Sequence, residues 1–138
     1  MERRDVNEVF ADAFFYIALL NPKDGFNARA VQTAARLNRR VVTTSWVLTE
    51  VADAFAQPRL RSVAHDFLQM TLKNPRTDVI SGESWFQAGL DLYGARPDKS
   101  WSLTDCISFA VMRQRGVSDA LTGDHHFVQA GLNALFLS

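Results

Sequence analysis

The chain has 138 residues, 47% of them hydrophobic and 22% charged, which is ordinary for a globular protein long enough to bury a core without staples. Fifteen basic and fifteen acidic residues cancel, so no global field draws the chain to nucleic acid or a membrane surface; this disfavours a passive polyanion binder but not an enzyme that meets phosphates through metal ions. Cys106 is the only cysteine, so no disulfide can form within the chain, and no apolar run approaches the roughly 20 residues that span a bilayer. Met1–Asp5 is not followed by a signal-type apolar region, and the expectation is a cytoplasmic protein folded as one domain over 1–138.

The stretch Glu8-Val9-Phe10-Ala11-Asp12 reads as a buried strand, and Ala13 to Leu20 as a buried helix that follows without a break. Asp12 is the only charged residue between Glu8 and Lys23, and a lone carboxylate in such surroundings is costly unless something pairs with it. Pro22 ends the helix in a turn over 21–25, and Ala30, Val31, Ala34, Ala35 and Leu37 fall at helical spacing within 26–39. Val41-Val42-Thr43-Thr44 is a β-branched second strand. Ser45 is expected to cap a helix over 46–56, with Val47, Leu48, Val51 and Phe55 facing the core and Trp46, Glu50 and Asp53 on a separate stripe.

An amphipathic helix over 60–72 ends at Asn74-Pro75, and Asp78-Val79-Ile80 fits a third strand. Phe86, Leu90 and Tyr93 define a helix over 83–93 with Gly94 just past its end, before a charged loop over 95–101. Ser102 opens a helix over 103–115, stopped by Gly116. A fourth strand over 117–122, a turn at Gly123-Asp124, a short helix over 125–130 and an edge strand over 132–137 complete the chain. Strands alternating with helices predict an α/β fold with a short parallel sheet covered on both faces.

Four acids then occupy comparable places. Asp12 ends the first strand, Glu50 lies on the helix after the second, Asp105 opens a later helix and Asp124 follows the fourth strand. Each has an ordinary structural role open to it: Asp12 as a helix cap, Glu50 as a solvated helix residue, Asp105 in a capping box with Ser102, and Asp124 as the cap of the helix at His125. Parallel strands end on one side of their sheet, however, so the set converges on one edge, where like charges repel unless cations hold them. Carboxylate oxygens suit hard cations, Mg²⁺ or Mn²⁺. Zinc is disfavoured because His125 and His126 are adjacent and face different ways on a helix, and Cys106 reads as a packing residue. His126 reads first as a surface or packing residue, with substrate contact as the alternative.

Val9-Phe10-Ala11-Asp12, Thr44-Ser45-Trp46-Val47-Leu48-Thr49-Glu50-Val51, Ser102-Leu103-Thr104-Asp105-Cys106 and Leu121-Thr122-Gly123-Asp124-His125-His126-Phe127 resemble the motifs of the PIN-domain ribonucleases, nearest to the VapC-type toxins of toxin–antitoxin pairs. The likeness runs through nearly the whole chain in order and spacing. It implies a three-layer α/β/α sandwich around a parallel sheet of four to five strands, and a four-acid Mg²⁺ or Mn²⁺ site at Asp12, Glu50, Asp105 and Asp124. It further implies RNA cleavage by water, a cognate antitoxin and a homodimer. The chain departs from the pattern at Ala13-Phe14, where small hydroxylated residues are common; Thr104 and Thr122 are the nearby hydroxyls. Asp53 and Asp98 are secondary candidates.

On this reading no side-chain nucleophile is needed, in keeping with the lack of a Ser-His or Cys-His arrangement. Arg39, Arg40, Arg59, Arg61, Arg96 and Lys99 are expected to border the site and bind flanking phosphates, and Leu48, Val51, Phe55, Val63 and Phe67 to form a groove for a partner helix. Two other readings compete. A receiver-like phosphoacceptor domain needs a lysine on its last strand, and 117–138 contains none. A non-catalytic interaction module would keep the fold without the chemistry.

Overall fold

A computed structural model describes residues 7–137, so the reading of Met1–Asp5 lies outside the described residues. The first strand, β1 (Glu8–Ala11), is buried along its whole length, as a continuous apolar run in a central parallel strand must be. It feeds α1 (Ala13–Leu20) and α2 (Asn27–Arg36), which lead to β2 (Arg40–Thr44). Next come α3 (Ser45–Ala54), α4 (Pro58–Lys73), β3 (Thr77–Ile80), α5 (Glu83–Ala95) and α6 (Leu103–Arg115). The chain then passes through β4 (Asp119–Leu121), α7 (His125–Gln129) and β5 (Asn133–Ala134), ending in a 3₁₀ turn at Leu135–Leu137. The expected edge strand over 132–137 is thus only two residues long. Arg29 donates to the carbonyls of Leu135 and Phe136 at 2.8 and 3.0 Å, holding that last segment in a turn instead of a ladder.

All pairings are parallel, in the order β3-β2-β1-β4-β5. The chain therefore winds outward from β1 through β2 to β3, then crosses back to β4 on the other side of β1. Right-handed crossovers place the helices of the two windings on opposite faces of such a sheet. The order reverses between β1 and β4, and in open α/β sheets ligands bind beyond the carboxyl ends of the strands at that point. Phe10, Ile107, Met112, Leu121 and Phe127 are sealed in the core beneath it.

Two caps differ from expectation. Thr44, not Ser45, caps α3: its hydroxyl accepts the N–H of Val47 at 3.1 Å, while Ser45 is the first helical residue. Gly94 lies inside α5, which runs one residue further before Arg96. The opposite edge of the sheet is held by ions. Arg115 donates to Glu8 Oε2 at 2.7 Å and to Asp78 Oδ2 at 2.8 Å, and Arg39 pairs with Asp119 at 3.1 Å and donates to the Glu8 carbonyl. Among the described residues, no helix is long and apolar enough to cross a membrane.

Candidate metal centre at the carboxyl edge of the sheet

Asp12 stands where β1 ends, in extended conformation and only 6% exposed. It occupies the cap position of α1, yet its side chain caps nothing. One oxygen, Oδ2, instead accepts the Thr122 hydroxyl at 2.8 Å, joining the ends of β1 and β4 across the point where strand order reverses. Burial pushes its carboxyl up to about 7; the bonds from Thr122 and from the Ala13 N–H pull the other way, and Asp105 and Glu50 add to the rise. The Thr122 hydroxyl also accepts the N–H of Asp124 at 3.1 Å, so one threonine ties two of the acids to the same strand end.

Asp105 and Asp124 each fill the ordinary role open to them and face the site as well. Asp105 and Ser102 form the capping box at the start of α6, with bonds of 3.0 and 3.2 Å. Asp124 caps α7, its Oδ1 accepting the N–H of His126 at 2.8 Å. That bond sets the His126 ring toward α6, where Nδ1 lies 3.1 Å from Asp105 Oδ2 and 3.5 Å from Asp124 Oδ1. Asp105, Asp124 and His126 thus bring ligand-type atoms within 4.8 Å of one another. Burial raises the Asp105 carboxyl; the His126 and Ser102 bonds oppose this, while Asp124 reinforces it.

Glu50 is exposed on the second turn of α3. Its carboxyl is also raised, first by partial desolvation and then by Asp105, Asp124 and Asp53. Charge repulsion therefore links Asp12 to Asp105 and Glu50, and Glu50 and Asp105 to Asp124, although only Asp105 and Asp124 share the compact group with His126. Among the described residues, no lysine or arginine pairs with any of the four. Of the secondary candidates, Asp98 is engaged by Arg96 at 2.9 Å, and Asp53 is an exposed residue one turn beyond Glu50.

His126 is the residue the sequence reading undervalued. Its local signal is its place two residues after a capping aspartate, which fixes its backbone. Its contact with Asp105 depends on α6 and α7 meeting in space, which no local pattern reports. The Ala13-Phe14 departure also has a structural account. The Phe14 ring packs edge-on to Phe26 and Phe136, with centroids 4.9 and 5.8 Å away, and lies against Gly123, beside Asp124. The hydroxyl near Asp12 comes from Thr122.

The donor set fits a hard divalent cation. It consists of carboxylates from four separate elements, two of them, Asp12 and Asp105, buried, and among the described residues no guanidinium or ammonium group is paired with them. By contrast, the single imidazole with no thiolate nearby is a poor zinc set.

This fold, with acids gathered where the sheet reverses, is the PIN-domain architecture in its VapC-type form. Mycobacterium tuberculosis VapC20, a sarcin–ricin loop cleaving toxin, superposes with a TM-score of 0.82. The match covers 90% of this chain and 95% of that one, at 25% sequence identity. No protein-family model and no curated protein matches the sequence, so the likeness is carried by the structure.

Proposed function

We propose that this protein is a metal-dependent endoribonuclease of the VapC toxin type, hydrolysing RNA phosphodiester bonds at the carboxyl edge of its sheet. The observation that carries this reading is the convergence of four acids, with no lysine or arginine partner among the described residues, at the switch point of a fold shared with an RNA-cleaving toxin. Asp12, Asp105 and Asp124 would hold Mg²⁺ or Mn²⁺, with Glu50 as a further ligand or as an acceptor that orients water. The cation, when bound, supplies Lewis acidity toward a phosphate and a water molecule. Thr122 fixes the orientation of Asp12, and the capping bonds of Asp105 and Asp124 fix theirs, so little reorganisation accompanies binding. His126 lies where its ring can hand a proton to Asp105 or take one from it.

The reaction is attack of water at phosphorus with departure of the 3′ oxygen, leaving a 3′-hydroxyl and a 5′-phosphate. A structured RNA, as in the neighbour, is the substrate class to try first. End-group analysis of the fragments is the test. A 2′,3′-cyclic phosphate would mean that the RNA's own 2′-hydroxyl attacked, and would sink the hydrolytic reading.

The partners follow from the same resemblance. A groove of about 450 Å³ between α3 and α4, lined by Ala52, Phe55, Ala64 and Leu68 with Asp53, Arg61 and His65, supports an antitoxin helix as occupant. It differs in lining from the expected groove, since Leu48 and Val51 are sealed in the core. Met70 and Leu72, 71% and 58% exposed on α4, support a homodimer. The cation being Mg²⁺ or Mn²⁺ and a cytoplasmic location complete the proposal.

A further inference from the structure

An RNA nuclease whose site is a ring of acids needs affinity for its substrate from something other than charge, and Arg39, Arg40 and Arg115 do not supply it there. Arg39 and Arg40 lie where β2 begins, beside Glu8, at the edge opposite Asp12, and Arg39 and Arg115 are committed to carboxylates. Near Glu50 stands an aromatic pair instead. Trp46 is on the first turn of α3, one helical turn before Glu50 and on the same face. Its ring packs with Phe86 of α5, centroids 6.4 Å apart and planes inclined by 36°, closer to parallel than edge-on. Ser45 and Ser81 meet at 3.1 Å and hold the starts of the two segments together.

Neither ring is sealed. Phe86 is 38% exposed and Trp46 is half-buried. The indole N–H of Trp101 is bonded to Gln129 at 3.0 Å beneath a buried ring, as a packing tryptophan requires, whereas that of Trp46 has no hydrogen-bond partner among the described residues and is not buried. A partly exposed aromatic pair one helical turn from Glu50 is a poor packing device and a good stacking surface.

Resting on the nuclease reading above, we propose that Trp46 and Phe86 form a platform on which an unpaired nucleobase of the RNA stacks beside the scissile phosphate. Stacking on an aromatic face needs no positive charge and accepts any base, purines most strongly because their rings are larger. The platform makes the enzyme select RNA with a base free to swing out of its stack next to the cut.

The test is fluorescence anisotropy with labelled oligoriboadenylate and oligouridylate 12-mers, in chelator so that nothing is cut, using the full chain and the variants Phe86→Leu, Trp46→Leu and Trp46→Phe. The parent is expected to bind oligoadenylate more tightly. Phe86→Leu and Trp46→Leu should weaken that binding roughly 5- to 100-fold, the range of one lost base stack, and erase the preference. Trp46→Phe should restore most of it, which a merely structural role would not explain. Phe86 is exposed enough that its leucine variant folds irrespective of Trp46. Equal binding of both oligomers by the parent and Phe86→Leu, or no binding by the parent at all, overturns the platform. Metal-dependent cleavage by the same parent preparation tells that failure apart from failure of the nuclease reading.

Discussion

Asp12 is nearly sealed from solvent, and its carboxyl titrates near 7 where an unfolded aspartate titrates near 4. Between those values the folded chain keeps a proton that the unfolded chain has released. Stability without metal therefore falls as pH rises from about 4 to 7 and stays low above, by up to about 4 kcal/mol at 1.36 kcal/mol per pH unit. Asp12→Asn removes this effect. In chelator the variant should melt above the parent at pH 8, with the gap closing toward pH 4; equal melting at pH 8 would mean that burial does not strain this carboxylate. Gly123 is the second residue on which the site turns. A Cβ there would come within 2.6 Å of the Phe14 ring, which is itself wedged among Phe26 and Phe136. Gly123→Ala should displace the turn that carries Asp124 and lower the cleavage rate at least tenfold, while lowering the unfolding free energy measured in urea by an amount typical of overpacking, about 1–3 kcal/mol. Unchanged cleavage would show that Asp124 tolerates movement.

At the scale of elements, the two edges of the sheet have separate tasks. The far edge is a structural clamp: Arg115 at the end of α6 bridges β1 and β3 through Glu8 and Asp78. Arg115→Met strands the buried Glu8 carboxylate and should cost about 2–4 kcal/mol, a buried-pair penalty reduced for the part of the pair that water reaches. Cleavage per folded molecule should be unaffected, and a parallel loss of activity would mean that the two edges are coupled. The close packing of α5 on α6 rests on Gly89, where a Cβ would collide with Ile107.

Much of this was legible in the sequence. The β1 run, the Pro and Gly stops and the Ser102–Asp105 box are local signals, and the elements follow them closely. The convergence of the acids was also legible, because parallel strands oblige their carboxyl ends to share a side. What was hidden depends on tertiary distance: His126 turning to Asp105, Phe14 resting on Gly123, and Arg39 spending its charge on Asp119.

For the molecule as a whole, zero net charge and an acidic edge mean that a phosphate meets the acids only with a cation between them, whereas stacking of a base needs none. Mg²⁺ or Mn²⁺ should raise the melting temperature, since only the folded state assembles the acids; a hundredfold excess over Kd stabilises by about 2.7 kcal/mol. The shift should shrink as pH falls and the carboxylates take up protons. No shift at millimolar cation would count against a metal centre. The most direct measurement is the rate of RNA cleavage by the parent and by Asp12→Asn, each with Mg²⁺, with Mn²⁺ and in chelator. The parent should cut only with a divalent cation, and the variant, though folded and melting at or above the parent, should not cut measurably. Cleavage by Asp12→Asn at the parental rate, or by the parent in chelator, would contradict the assignment of this edge as a metal-dependent nuclease site.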